Sequence, residues 1–201
     1  MCRKSSEREI DGESVMIFPR KMFKFMGLLA SVLFWVVTSL AIIYNPWFSL
    51  MTHAFSDLGG PMANQPWIYN YGLMITGAVA LMYAFALIED ARNKVEVVGG
   101  AFMFIAGVFL ALIGIYPSGT RPHTFVSSWF FTQADLAIVT WGIGLVLENR
   151  KALGIASVTI GLLAPFAAAL IKWPSVAVLE AYGIILISAW IVLMLKYGID
   201  K

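Results

Sequence analysis

An all-α, polytopic integral membrane bundle of six transmembrane helices, both termini cytoplasmic, is the fold that this sequence predicts. Three observations predict it. Of 201 residues, 60% are hydrophobic and only 13% charged, more apolar surface than one soluble core absorbs. Apolar runs of spanning length recur six times, and the mean hydropathy of the whole chain is +0.80. The basic residues, finally, segregate to alternate inter-run segments.

Residues 1–22 are polar and of mixed charge, and read as a cytoplasmic tail. The six-helix transmembrane domain then occupies 23–201. Its spans are expected at about 23–44, 67–88, 97–116, 126–147, 153–172 and 176–197, each near the ~20 residues that cross a bilayer. The first run is too long for a signal peptide and no small-x-small cleavage site follows it, so it reads as a retained span. Of the fourteen Lys and Arg residues, twelve lie in the tail, at the adjoining start of the first span, in the 89–96 and 148–152 loops or toward the C-terminus, and only Arg121 and Lys172 lie on the opposite side. The positive-inside rule therefore places both termini in the cytoplasm and the protein in the cell membrane as a multi-pass chain. Loops 45–66, 117–125 and 173–175 then face outward. Each carries a Pro beside an aromatic residue (Pro46-Trp47, Tyr116-Pro117, Trp173-Pro174), as expected where helices end at a membrane interface.

Gly100, Gly107 and Gly114 recur every seven residues in the third span, and Gly154, Gly161 and Ala168 do so in the fifth. Such stripes let helix backbones approach where water supplies no driving force. Pro165 is expected to kink the fifth span. Lone Cys2 permits no intrachain disulfide and leaves the redox compartment unread. Two histidines exclude a many-histidine metal centre. The basic residues sit at helix ends, where topology explains them, so nucleic-acid binding is not expected. The bilayer is the expected partner, and Arg20, Lys21 and Lys24 are placed to touch anionic headgroups.

The polar residues concentrate at the outward end. In the first outer loop, His53 and Asp57 share a face at i and i+4 if the segment is helical, with Ser56 between them. Gly59-Gly60-Pro61 forces a turn before the second span opens with Tyr69, Asn70 and Tyr71. The second outer loop holds Arg121 and His123. Thr124, Ser128, Thr132 and Asp135 share one face of the fourth helix, with His123 and Ser127 one turn apart beside that stripe. Asp135 lies about 13 Å into the span. A carboxylate there costs at least ~2.5–3.5 kcal/mol unless it is protonated, paired or wetted. Glu180 is a further acid in the outer part of the sixth span. An outward polar cavity is expected from the first two outer loops and the second, fourth and sixth spans. Its candidate ligand-binding residues are His53, Ser56, Asp57, Asn70, Arg121, His123, Asp135 and Glu180.

The segments His53-Ala54-Phe55-Ser56-Asp57-Leu58-Gly59, Tyr69-Asn70-Tyr71-Gly72-Leu73 with Gly77, Tyr116-Pro117 through His123, and Glu180 with Trp190 together resemble an uncharacterised membrane family, domain of unknown function 998. The Ser-Asp-x-Gly element is distantly similar to the DRAM and Sfk-type six-span proteins. The resemblance runs over roughly residues 23–197. It implies a six-helix bundle with the His and Ser-Asp-Leu-Gly elements near one membrane face, and it supplies no reaction.

Several functions fit these residues. The outward cluster suits binding or transport of a small polar or lipid-headgroup ligand, with Arg121 meeting a phosphate or carboxylate and Asp135 carrying a proton. An intramembrane hydrolase or lipid-modifying enzyme is the alternative. It would use Ser127 or Ser56 as nucleophile, His123 as base and Asp57 or Asp135 as orienter, or a metal held by His53, Asp57 and His123. A cluster that only holds helix ends together is the third reading. Haem ligation by His53 and His123 is disfavoured because both sit in loops or at helix ends, and no cofactor is expected.

Overall fold

The computed structural model describes residues 24–198; the expected tail, residues 1–22, falls outside them. Six helices follow in order: α1 Met26–Tyr44, α2 Pro66–Asp90, α3 Lys94–Ile115, α4 His123–Leu147, α5 Lys151–Leu170 and α6 Val176–Leu193. Each is long and apolar enough to cross a membrane, as the hydropathy runs require. A π-helical turn, Met194–Gly198, extends α6. The boundaries follow local chemistry. Pro66 occupies the first position of α2, where no amide partner is lost. Asn93 caps α3 by accepting from the Val95 and Glu96 amides at 3.0 Å each. Ser175 caps α6 through the Val178 amide at 3.1 Å.

Glycine sets the helix spacing as the stripes predict. A Cβ on Gly107 would meet the Leu81 amide nitrogen at 3.2 Å, which seats α3 on α2. A Cβ on Gly154 would meet the Gly142 carbonyl at 2.6 Å and one on Gly142 the Gly154 carbonyl at 2.9 Å, so α4 and α5 touch backbone to backbone. Ala168 departs from this role. It lines a cavity, and its carbonyl accepts from the Trp173 indole at 3.1 Å.

The two ends of the bundle differ. At the end holding loops 91–93 and 148–150, Lys24 pairs with Asp90 at 3.2 Å and the Arg150 guanidinium donates to the Tyr197 carbonyl. The Asn93 amide donates to the Gly144 carbonyl at 3.1 Å and ties α3 to α4.

At the other end, the long 45–65 connection folds back into the bundle. Buried Asn45 holds its two ends together, donating to the Ala41 and Asn64 carbonyls at 2.8 and 3.1 Å and accepting from the Asn64 amide at 2.6 Å. The centre of the loop is a short 3-10 turn, Phe55–Gly59. Phe55, Ser56, Leu58 and Gly59 are all buried in it.

Candidate functional site

The 3-10 turn is stitched to three neighbouring elements. The Glu180 carboxylate of α6 accepts from the Phe55 amide at 2.6 Å. The Asn70 amide of α2 donates to the Gly59 carbonyl at 3.0 Å. The Ser118 hydroxyl, from the α3–α4 connection, donates to Asp57 Oδ1 at 3.1 Å, while Asp57 Oδ2 accepts from the Ala54 amide at 2.9 Å. Two more bonds fasten the preceding segment to the start of α6: Ala177 N–H to the His53 carbonyl at 2.8 Å, and the Ser175 hydroxyl to the Leu50 carbonyl at 2.5 Å. Gly59 leaves no room for a side chain, because an added Cβ would collide with the Asn70 amide oxygen.

His53 belongs to this stitching and not to a pair with Asp57. The segment before Phe55 is not helical, so i and i+4 do not share a face there. The Ser49 amide donates to His53 Nδ1 at 3.0 Å. The Thr52 hydroxyl and the Ser49 carbonyl lie 3.1 and 3.3 Å from the same nitrogen. The ring lies against Trp47 and Phe48, with centroids 5.1 and 5.8 Å away. The metal triad of His53, Asp57 and His123 does not gather either. Among the described residues no three His, Cys, Asp or Glu side chains stand where one ion could bind.

A cavity of about 440 Å³ opens beside this knot, between α4, α5 and α6. It takes its lining from the fourth, fifth and sixth spans with Ser56 from the loop; the second span, expected there, contributes nothing. Phe131, Leu179, Leu186 and Ile187 give it an apolar wall. The polar groups are Ser56, His123, Thr124, Ser127, Ser128, Asp135, Glu180 and Tyr182. Of the eight sequence candidates, four therefore meet at the cavity: Ser56, His123, Asp135 and Glu180. His53, Asp57 and Asn70 serve the loop instead, and Arg121 is exposed on the connection between α3 and α4. Tyr182 had no signal in the sequence, since its position depends on how α6 docks against α5, where its hydroxyl meets the Ala164 carbonyl at 3.4 Å.

α4 begins at His123, three residues before the hydropathy run, and this places the histidine in its first turn. His123 Nδ1 lies 2.8 Å from the Tyr116 carbonyl. A carbonyl only accepts, so Nδ1 carries the proton and Nε2 is left facing Ser127, whose hydroxyl lies 3.5 Å away. The same hydroxyl donates to the His123 carbonyl at 2.8 Å. Thr132, expected on the polar stripe, lies off the cavity and bonds the Ser128 carbonyl at 2.9 Å.

Asp135 stands on the cavity wall eight residues beyond Ser127, about 12 Å deeper at 1.5 Å per residue. Its carboxylate makes no hydrogen bond or ion pair with another described residue. Among the described residues, the cavity lining contains two acids and no Lys or Arg. Thr124, Ser128, Pro165 and Val176 line it and are exposed on the outside of the bundle. The cavity therefore opens on the outside of the bundle.

No curated protein and no solved structure matches the chain, and nothing supports the likeness to DRAM and Sfk-type proteins. The family model described as protein of unknown function DUF998 matches residues 28–196, nearly the whole bundle with the stitched loop and the cavity inside it. The chain is thus an integral membrane protein, with six helices of spanning length among its described residues, that belongs to the DUF998 family.

Proposed function

We propose that this protein binds a bilayer-dissolved amphiphile in the cavity between α4, α5 and α6, through a head that donates hydrogen bonds and is cationic or hydroxylated. Asp135 carries the reading. A carboxylate at that depth with no partner among the described residues costs ~2.5–3.5 kcal/mol or more, and a ligand donor offsets that cost. Glu180 and the Ser127 and Ser128 hydroxyls add acceptors nearer the loop end. The lining offers an anion no permanent positive charge, and Arg121, once the natural partner for a phosphate, lies off the cavity. An anionic head is therefore disfavoured. The apolar wall suits the ligand's hydrocarbon body, as in most small-molecule sites. The same proposal sets the protein in the cell membrane with both termini cytoplasmic, which the asymmetric distribution of Lys and Arg supports.

The test uses the full chain in nanodiscs, with dodecylamine, 1,2-dodecanediol and dodecyl phosphate as probes. Dodecylamine and the diol are expected to raise the unfolding temperature of the wild type, the amine most, and dodecyl phosphate to leave it unchanged. Asp135→Asn is expected to abolish the amine's shift. Equal shifts from amine and phosphate, or an undiminished shift in Asp135→Asn, refute the reading.

A further inference from the structure

We propose that Ser127 and His123 form a nucleophile–base pair that hydrolyses carboxylic esters of membrane-dissolved alcohols in this cavity; the substrate class rests on the binding reading above. Four observations support it. His123 and Ser127 are one helical turn apart and both line the cavity. The Tyr116 carbonyl, at the end of α3, fixes the tautomer by accepting from Nδ1. That leaves the Nε2 lone pair 3.5 Å from the Ser127 oxygen, a loose distance of the kind that tightens when substrate enters. The apolar wall of Phe131, Leu179, Leu186 and Ile187 then lies alongside to take an acyl chain.

The orienting acceptor is a backbone carbonyl and not a carboxylate. Asp57 is engaged by Ala54 and Ser118, and Asp135 lies about 12 Å deeper than Ser127. A carbonyl holds the ring and its tautomer as an orienting acid does, with less stabilisation of the imidazolium that forms. The Thr120 hydroxyl bonds the Pro117 carbonyl at 2.8 Å and braces the turn that carries Tyr116 toward α4.

In the first step the Ser127 hydroxyl turns its proton from the His123 carbonyl to His123 Nε2. The Ser127 oxygen then bonds the ester carbonyl carbon, and Nε2 takes the proton. The carbon–oxygen bond to the alcohol breaks, and Nε2–H protonates the departing alkoxide oxygen. Ser127 is left acylated. Water entering from the loop end gives a proton to Nε2 and its oxygen to the acyl carbon. The Ser127 oxygen leaves, recovers the proton, and a carboxylic acid is released.

The experiment treats full-length protein in nanodiscs with a dodecyl fluorophosphonate and maps the adduct by peptide mass spectrometry, with turnover of p-nitrophenyl laurate followed in parallel. A single adduct on Ser127 is expected, together with laurate ester turnover that Ser127→Ala abolishes. His123→Gln is expected to slow both by at least about a hundredfold, the lower end of what a positioned general base supplies. No adduct on the wild type, an adduct on Ser56 or Ser128 instead, or labelling unchanged in His123→Gln overturns the proposal. Dodecylamine binding in the same preparation separates the two readings. Binding without an adduct sinks the esterase pair alone. An adduct on Ser127 without amine binding sinks the amine-selective site and leaves the pair.

Discussion

Glu180 has two duties, and two substitutions separate them. One carboxylate oxygen takes the Phe55 amide at 2.6 Å, while the side chain also lines the cavity. Glu180→Gln keeps an acceptor for that amide and removes the charge. A hydrogen bond to a charged group contributes roughly 1.5–3 kcal/mol and a neutral one roughly 0.5–1.5, so the expected loss of stability is about 1 kcal/mol. Glu180→Leu removes the acceptor altogether. Phe55 is only 3% exposed, so water has poor access to its stranded amide. The lost bond and the orphaned N–H together amount to about 2–4 kcal/mol. For a chain of this size 1 kcal/mol moves the midpoint by about 2–4 °C. The Gln variant is thus expected to unfold about 3 °C lower and the Leu variant about 6–12 °C lower, measured by thermal unfolding in one detergent. Dodecylamine affinity is expected to fall about tenfold in the Gln variant, or 1.4 kcal/mol. Equal midpoints for Gln and Leu would show that the Phe55 bond holds nothing, and undiminished amine affinity in the Gln variant would remove Glu180 from the site.

Gly154→Ala is expected to destabilise the bundle by about 1–3 kcal/mol, because its new methyl would meet the Gly142 carbonyl, a backbone wall that cannot rotate aside. Gly183→Ala is the contrasting case. There the methyl would meet the Phe131 ring at 2.6 Å, so the expected result is modest destabilisation with weaker dodecylamine binding, as the ring is pushed into the cavity; thermal unfolding and calorimetry read the two effects. Topology is testable with the native Cys2. A membrane-impermeant maleimide is expected to label it only after the cells are broken, and Arg121→Cys in a Cys2→Ser background to be labelled in intact cells. The reverse pattern inverts the orientation.

The division of the eight candidate residues has a physical origin. Spans and glycine contacts were legible because each depends on one local property: twenty apolar residues in a row, or an absent side chain at a seven-residue interval. The same holds for His123 and Ser127, since one helical turn fixes their separation wherever α4 packs. Pairing His53 with Asp57 assumed a helix that the loop does not form. The irregular backbone of the 45–65 connection leaves amides and carbonyls without helical partners, and these recruited the polar side chains first: Ser49 N–H took His53, Ala54 N–H took Asp57, Phe55 N–H took Glu180, and the Gly59 carbonyl took Asn70. In hydrocarbon an unsatisfied amide costs several kcal/mol, so an irregular segment folded into the end of a bundle consumes acids and amides as structural partners. The signal that distinguishes a site residue here is not polarity in the membrane but polarity left over once the backbone is satisfied. Asp135 sits within a continuous helix, where every nearby amide already has a carbonyl, and its carboxylate has no such employment. For that reason the residue deepest in the span, and farthest from the motif that first draws the eye, carries the functional reading.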